Sequence, residues 1–210
     1  MPSLCSYDQG KRQMEGRRYK ADVEAVKEGM TRFLAPIRDL QARQKRNKEK
    51  VYRPRMVMTL GNHEERINKA VDNDAKLEGV IGIADLGYEQ AGWEVHPFLE
   101  VVVIQGVAFS HYYPSGQMGR PITSARALLN KMHMSCIAGH QQGRDIAYGR
   151  RADGTSITAI IAGSCYTHDE DYLSPLNNQV WRGIVVLNEV ENGSFDEMMV
   201  SLKYLEQRVS

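Results

Sequence analysis

The first half of the chain carries a helical pattern of apolar positions. Between Arg17 and Gln44, apolar residues recur at spacings of three and four on a polar background: Val23, Val26, Met30, Phe33, Leu34 and Ile37. This spacing places them on one face of an amphipathic helix. Pro36 lies late in the pattern and is expected to kink or divide that helix.

Short apolar runs separated by polar loops follow, and they predict strands. Pro54 introduces the first run, which is apolar without alternation, as in a strand covered on both faces. The predicted strands are Met56–Leu60, Trp93–Phe98, Val101–Ile104, Val107–His111, Ser135–Gly139, Thr158–Gly163, Gly183–Val190 and Val200–Leu205. Further helices are predicted through Ile67, Ala70 and Val71 and from Thr123 to Met132. This order predicts an α/β sandwich, one domain over 1–210, helical and basic at 1–55 and strand-rich at 56–210.

Composition adds few constraints. The 210 residues are 42% hydrophobic and 25% charged, with a formal net charge of +1, so no field over the whole surface indicates nucleic acid or membrane. The three cysteines form no CxxC pair, and no apolar run is long enough to cross a bilayer. We therefore expect a soluble cytoplasmic protein with reduced thiols and no membrane partner.

Charge is nevertheless unevenly distributed. Between Lys11 and Arg55 there are fifteen Lys or Arg residues and six Asp or Glu residues, with the excess concentrated in Arg38–Arg55. Such a segment either holds a nucleic-acid backbone or forms a solvated helix face and loop. Both interpretations remain open from the sequence.

Three predicted strands end in groups that suit a metal site. They are Leu60-Gly-Asn-His-Glu64, Ala108-Phe-Ser-His111 and Ile137-Ala-Gly-His-Gln-Gln142. Open α/β sheets place their sites at the carboxyl ends of strands, and imidazole and amide oxygen suit manganese, iron, zinc or nickel. The glycines before Asn62 and His140 are expected to allow sharp turns there. A single histidine of this kind is more commonly a hydrogen-bonded structural residue, so the prediction depends on all three together.

The ordered set GNHE, Ser-His and Gly-His-x-x, over about 57–190, resembles the calcineurin-like metallophosphoesterases, and its flanks resemble the versions in tailed bacteriophages. The resemblance implies a sandwich of mixed sheets flanked by helices and metal-dependent hydrolysis of a phosphate mono- or diester, in the host cytoplasm for a phage protein. Manganese is the expected ion, with iron, zinc and nickel as alternatives. Asn62, His111 and His140 would be ligands of one metal. His63 would stabilise the transition state or protonate the leaving oxygen.

Two arginines and an acidic run are further candidates. Arg66 and Arg144 would each either bind phosphate oxygens or form a surface ion pair. The run Thr167-His-Asp-Glu-Asp171 would either approach the metals or be a solvated loop.

The chain also departs from the family pattern. It contains no Asp-x-His and no Gly-Asp-x-x-Asp, and Gln142 occupies the position where the family has a second histidine. Met1-Pro-Ser-Leu resembles the segment that follows Gly-Asp-x-x-Asp, so we expect the first strands to be absent and a sheet edge to be exposed. The prediction is a phosphoesterase without its N-terminal motifs. The alternatives are a non-catalytic module that binds nucleic acid or protein, and half of a split enzyme completed by a second chain.

Overall fold

The protein, studied as a computed structural model, is described over residues 1–6, 10, 12–169 and 179–209. It is a mixed α/β protein, as its sequence predicts. The chain divides into two units, Met1–Phe98 and Leu99–Ser210, here called unit 1 and unit 2. All three cysteines are free thiols, with Cys5 and Cys136 buried and Cys165 exposed.

Unit 1 is built on the predicted long helix. The elements of unit 1 are α1 (Tyr19–Arg46), β1 (Val57–Thr59), α2 (Glu65–Asn73) and β2 (Glu94–His96), with 3-10 turns at Pro2–Leu4, Arg12–Met14, Ala75–Leu77 and Ile83–Leu86. Helix α1 continues through Pro36, so the predicted division there is wrong. Proline removes one backbone hydrogen bond, and burial of the neighbouring Leu34 helps to hold the helix together.

The core of unit 1 lies between the two helices and a parallel pair of strands. Strand β1 pairs with β2 from Val57↔Glu94 to Thr59↔His96. One face of α1 and one face of α2 contribute to a single cluster of buried side chains: Met1, Val23, Leu60, Ile67, Leu86 and Tyr88. This packing fixes the turn between β1 and α2, in which the GNHE sequence lies.

Unit 2 contains a five-stranded mixed sheet. The elements of unit 2 are β3 (Val102–Ile104), β4 (Val107–Ser110), β5 (Pro114–Ser115), β6 (Arg120–Pro121), α3 (Ala125–Met132), β7 (Cys136–Ala138), β8 (Arg144–Arg150), β9 (Ser156–Ala162), β10 (Gly183–Glu191), β11 (Ser194–Ser201) and α4 (Leu202–Val209). The sheet order is β3-β4-β7-β9-β8. Its three central strands are parallel, and β3 and β8 are antiparallel edges.

The two faces of this sheet bury side chains of different size. The face toward α3 carries small residues, Ala108, Cys136, Ala138, Ala147 and Ala159, which pack with Leu128 and Leu129 of the helix. The opposite face carries Val107, Ile137, Ile146 and Ile160, which pack with Phe195 in the antiparallel pair β10–β11. Alternation along each strand therefore separates a helix-facing layer from a hairpin-facing layer.

Two predictions about unit 2 fail. The predicted strand Val200–Leu205 is wrong, because β11 ends at Ser201 and Leu202–Val209 is the helix α4. Leu202 and Leu205, which are both half-buried, are spaced as on one helix face, a pattern that outweighs the apolar start of the segment. The predictions also lack the two-residue strands β5 and β6, most of β11, and β8. Strand β8 is a largely exposed edge strand, so its sequence, RDIAYGR, has little apolar character.

Within the described ranges, no helix combines the length and the apolar composition that crossing a membrane would need.

Candidate metal centre

Two of the predicted ligands meet at one edge of the unit 2 sheet. His111 directly follows β4, and His140 follows β7 by one intervening residue. These strands are parallel neighbours, with Ser110 paired to Ala138. Their carboxyl ends therefore lie at the same edge, which brings the two imidazoles together.

The geometry of the pair is compatible with a shared ion. His111 Nε2 lies 3.1 Å from His140 Nδ1, and the ring planes are inclined by 73°. Two nitrogens that each lie about 2.0–2.1 Å from one ion, at angles between octahedral and tetrahedral, are roughly 2.8–3.4 Å apart. The same separation also suits a hydrogen bond between the rings. A proton or a metal ion can therefore join these two nitrogens.

The backbone turns at His140 itself. His140 has φ 61°, in the left-handed region, and Gln141 N donates to Gly139 O at 2.7 Å across it. A side chain at Gly139 would make only an ordinary contact, at 3.6 Å from His111 O. The predicted role of that glycine in the turn is therefore wrong. Histidine, although more tolerant of this conformation than most residues, is held in an uncommon one.

One aromatic ring, that of Tyr112, packs against the pair. The Tyr112 ring centroid lies 4.9 Å from that of His140 and 5.9 Å from that of His111. Desolvation by burial lowers the pKa of His140 from its ordinary value. The lowered pKa favours the neutral imidazole, which is the form that binds a metal.

Two glutamines follow His140. The predicted Gln142 is half-buried, and its backbone carbonyl accepts from Ser164 Oγ at 3.2 Å. The adjacent Gln141 donates from Nε2 to Ile122 O at 2.6 Å. Its Oε1 is buried and has no hydrogen-bond partner within the described parts of the chain. An amide oxygen is an acceptable ligand, so Gln141 is a candidate that sequence reasoning missed. Its position beside His140 is the only sequence signal for it.

The GNHE turn lies in unit 1, between β1 and α2. Glu64 anchors it, because the Glu64 carboxylate accepts from Gly61 N at 2.9 Å and is hydrogen-bonded to Tyr88. Burial, and secondarily this carboxylate, raise the pKa of Tyr88. Asn62 is half-buried and His63 is exposed. The turn is thus held by Glu64, while the His63 side chain is accessible to solvent.

The two predicted arginines have structural contacts. Arg66 Nη1 donates to Met1 O at 3.2 Å in unit 1. In unit 2, the Arg144 guanidinium carbon lies 4.8 Å from the centroid of the Trp181 ring, a cation–π contact. Each arginine therefore has a contact within its own unit.

Part of the acidic run is described. Asp169 accepts from Arg182 Nη2 at 2.7 Å. Glu170 and Asp171 lie outside the described residues. Across the described ranges, no group of three or more His, Cys, Asp or Glu side chains is arranged to hold a metal ion. Of the predicted site residues, the structure brings together His111 and His140, with Gln142 and Arg144 in the following segment of unit 2. Asn62, His63 and Arg66 belong to unit 1.

No protein-family model, curated protein or solved structure matches this chain.

Proposed function

We propose that this protein is a metal-dependent phosphoesterase that hydrolyses phosphate mono- or diesters. The observation that carries the proposal is the His111–His140 pair at the carboxyl edge of two parallel strands, with nitrogens 3.1 Å apart. The GNHE, Ser-His and Gly-His-x-x motifs support the same class through their resemblance to calcineurin-like metallophosphoesterases. A mixed sheet packed on one face by α3 and on the other by β10–β11 supports a sandwich of that type, without its first strands.

Manganese is the proposed ion, and iron, zinc or nickel are alternatives with the same preference for imidazole. When bound, such an ion lowers the pKa of a coordinated water and neutralises charge on the phosphate oxygens. His111 and His140 would hold the ion as neutral imidazoles. Asn62 would add an amide oxygen, and either Gln142 or Gln141 would supply another.

His63 is the proposed general acid. Its exposed imidazole would give a proton to the leaving oxygen as a general acid. Arg144 and Arg66 would bind phosphate oxygens only after release from Trp181 and from Met1 O respectively. The motifs Asp-x-His and Gly-Asp-x-x-Asp are absent from the sequence, and a second chain that carries them would complete a two-metal site.

The proposal is tested by manganese-dependent release of nitrophenol from bis(nitrophenyl) phosphate. We expect activity that is removed by chelator, abolished by His111→Ala and reduced roughly a hundredfold or more by His63→Ala. His133→Asn is the matched control, because His133 is an exposed histidine whose φ of 53° asparagine also tolerates. Hydrolysis that persists unchanged in His111→Ala would refute the proposal, and so would absence of hydrolysis in the presence of a chain carrying the missing motifs.

A further inference from the structure

Unit 1 contains a groove along helix α1 that no part of the proposed metal chemistry uses. It consists of two adjoining cavities, of about 470 and 110 Å³, which share Arg38 and Ala91 as lining residues. We infer that this groove binds single-stranded nucleic acid. The inference goes beyond the phosphoesterase proposal and does not require it, because none of the lining residues belongs to the proposed metal site.

The groove follows one face of the helix. Its α1 residues recur at spacings of three and four, as expected for one stripe: Lys27, Met30, Thr31, Leu34, Ile37, Arg38 and Gln41. Lys45 continues the same stripe by one further turn. From Lys27 to Gln41 the stripe extends about 21 Å at 1.5 Å per residue, which is long enough for several nucleotides. Arg32 and Arg43 lie on the opposite face, at 100° per residue.

The lining combines cations with apolar surface. Lys27, Arg38 and Arg53 contribute positive charge, and no Asp or Glu is among the described residues that line either cavity. Met30, Ile37 and Met56, which are all half-buried, supply apolar surface between them. The pKa of Asp85 is lowered chiefly by the hydrogen bond from Tyr19, and the nearby charge of Lys27 lowers it a little further. Arg38 and Arg53 are therefore the principal phosphate-binding candidates.

Tyr52, the residue before Arg53 in the chain, carries an exposed aromatic ring. The loop after α1 is tied back to the helix at Tyr52, because Gln41 Nε2 donates to Tyr52 O at 2.9 Å and Tyr52 N donates to Gln44 Oε1 at 2.8 Å. The backbone of Tyr52 is thus fixed, while its side chain remains 53% exposed. A positioned aromatic ring beside cations provides a stacking platform for an unpaired base.

The charge of the surrounding segment favours a polyanion. From Arg38 to Arg55 there are eight Lys or Arg residues and two Asp or Glu residues. A duplex would present its phosphates to these cations but no exposed base to Tyr52. An anionic membrane would satisfy the charges but would not need a groove. A single strand uses the cations, the apolar surface and the aromatic ring together.

The test is fluorescence anisotropy of a labelled oligothymidylate of about twelve nucleotides, titrated with the full chain in chelator at several salt concentrations. We expect binding that weakens as salt rises. Arg38→Gln should weaken it and reduce the magnitude of the log–log salt slope by about 0.7, the value for one lost phosphate contact on a single strand. Tyr52→Ala should weaken binding by roughly 5- to 150-fold without changing the slope.

Arg43→Gln is the matched control, because it removes one positive charge from the same segment on the opposite face of α1. It should change affinity by less than about twofold at moderate salt. Equal losses in Arg43→Gln and Arg38→Gln would overturn the groove in favour of diffuse attraction. Duplex binding as tight as single-strand binding would overturn it as well, as would binding only to vesicles of phosphatidylserine and phosphatidylcholine. Because chelator is present, these outcomes leave the phosphoesterase assay unaffected.

Discussion

The imidazoles of His111 and His140 are the residues on which the proposed chemistry depends. Their nitrogens are 3.1 Å apart, a distance that a proton or a metal ion can bridge. The two cases differ in what a substitution does. Removing one ring from a hydrogen-bonded pair leaves metal binding unchanged, whereas removing one ring from a ligand pair leaves the ion with too few donors.

Manganese calorimetry distinguishes these cases. We expect one weak site per chain, because the first-metal motifs are absent from the sequence. His111→Ala should weaken manganese binding by at least about tenfold, because it removes one of the two imidazole ligands. Two tight sites per chain, or an unchanged affinity in His111→Ala, would contradict the assignment. His133→Asn should bind manganese as the unsubstituted chain does.

A second residue-scale prediction concerns Glu94 in β2. Hydrogen bonds from Arg55 and His96 lower the pKa of Glu94 to about 2. A lowered carboxyl pKa stabilises the folded state above the unfolded pKa of about 4.3, and the contribution is lost as pH falls toward 2. Thermal unfolding followed by circular dichroism should therefore show that the unsubstituted chain loses more stability than Glu94→Gln between pH 5 and pH 2. This range runs from above the unfolded pKa of Glu94 down to its folded pKa. Equal acid sensitivity would contradict this, and Glu89→Gln, another exposed glutamate, is the control.

The sequence predicts part of the candidate site and misses the rest for physical reasons. Histidines that end parallel neighbouring strands must approach each other, so His111 and His140 could be foreseen from the strand pattern. The left-handed turn at His140 could not be foreseen from the sequence, because glycine is the usual residue for a positive φ. The cation–π contact of Arg144 with Trp181 joins residues distant in sequence, and no local pattern encodes it.

At the scale of elements, two tight hairpin turns in unit 2 contact each other. Gln105-Gly106 joins β3 to β4 and Asn192-Gly193 joins β10 to β11, all four residues with positive φ. Gly193 N donates to Gln105 O at 2.9 Å. The contact ties the hairpin to an edge of the five-stranded sheet, and it leaves no space for a side chain at either glycine.

Gly193→Ala separates the steric part of this contact from the backbone part. A Cβ at Gly193 would lie 2.6 Å from Gly106 O, so the hairpin must shift. Gly154 has the same φ of 87° with nothing within 4 Å, and Gly154→Ala therefore reports backbone strain alone. We expect Gly154→Ala to destabilise by about 1 kcal/mol and Gly193→Ala by roughly 2–4 kcal/mol. Equal free energies of unfolding in urea would show that the turn contact contributes nothing.

Element prediction was most accurate where apolar periodicity was strong. Helix α1 and the central strands β4, β7 and β9 were predicted because their burial imposes a clear pattern. The edge strand β8 is largely exposed, so hydrogen bonding to β9 rather than burial defines it. The strand predicted at Val200–Leu205 failed because a strand and a helix meet inside one apolar segment.

At the scale of the whole molecule, unit 2 has its own hydrophobic clusters on both sides of its sheet. We therefore expect residues 99–210, expressed alone, to unfold cooperatively in urea. The histidine pair lies within this fragment, so manganese binding should persist. A fragment without a cooperative transition would show that unit 2 does not fold by itself. A folded fragment that binds no manganese would contradict the assignment of the pair as metal ligands.

The small-residue face under α3 imposes a restriction on substitution that the opposite face does not. Ala108, Ala138 and Ala159 are packed with side chains of the helix, which an added methyl group would have to displace. Val107 and Ile160 face the hairpin, where one branched side chain can replace another with little loss. A saturation library would therefore show two distinct sets of tolerated residues, alternating position by position along β4 and β9. Positions that face the helix would tolerate only alanine, glycine, serine and cysteine. Positions that face the hairpin would tolerate most aliphatic residues.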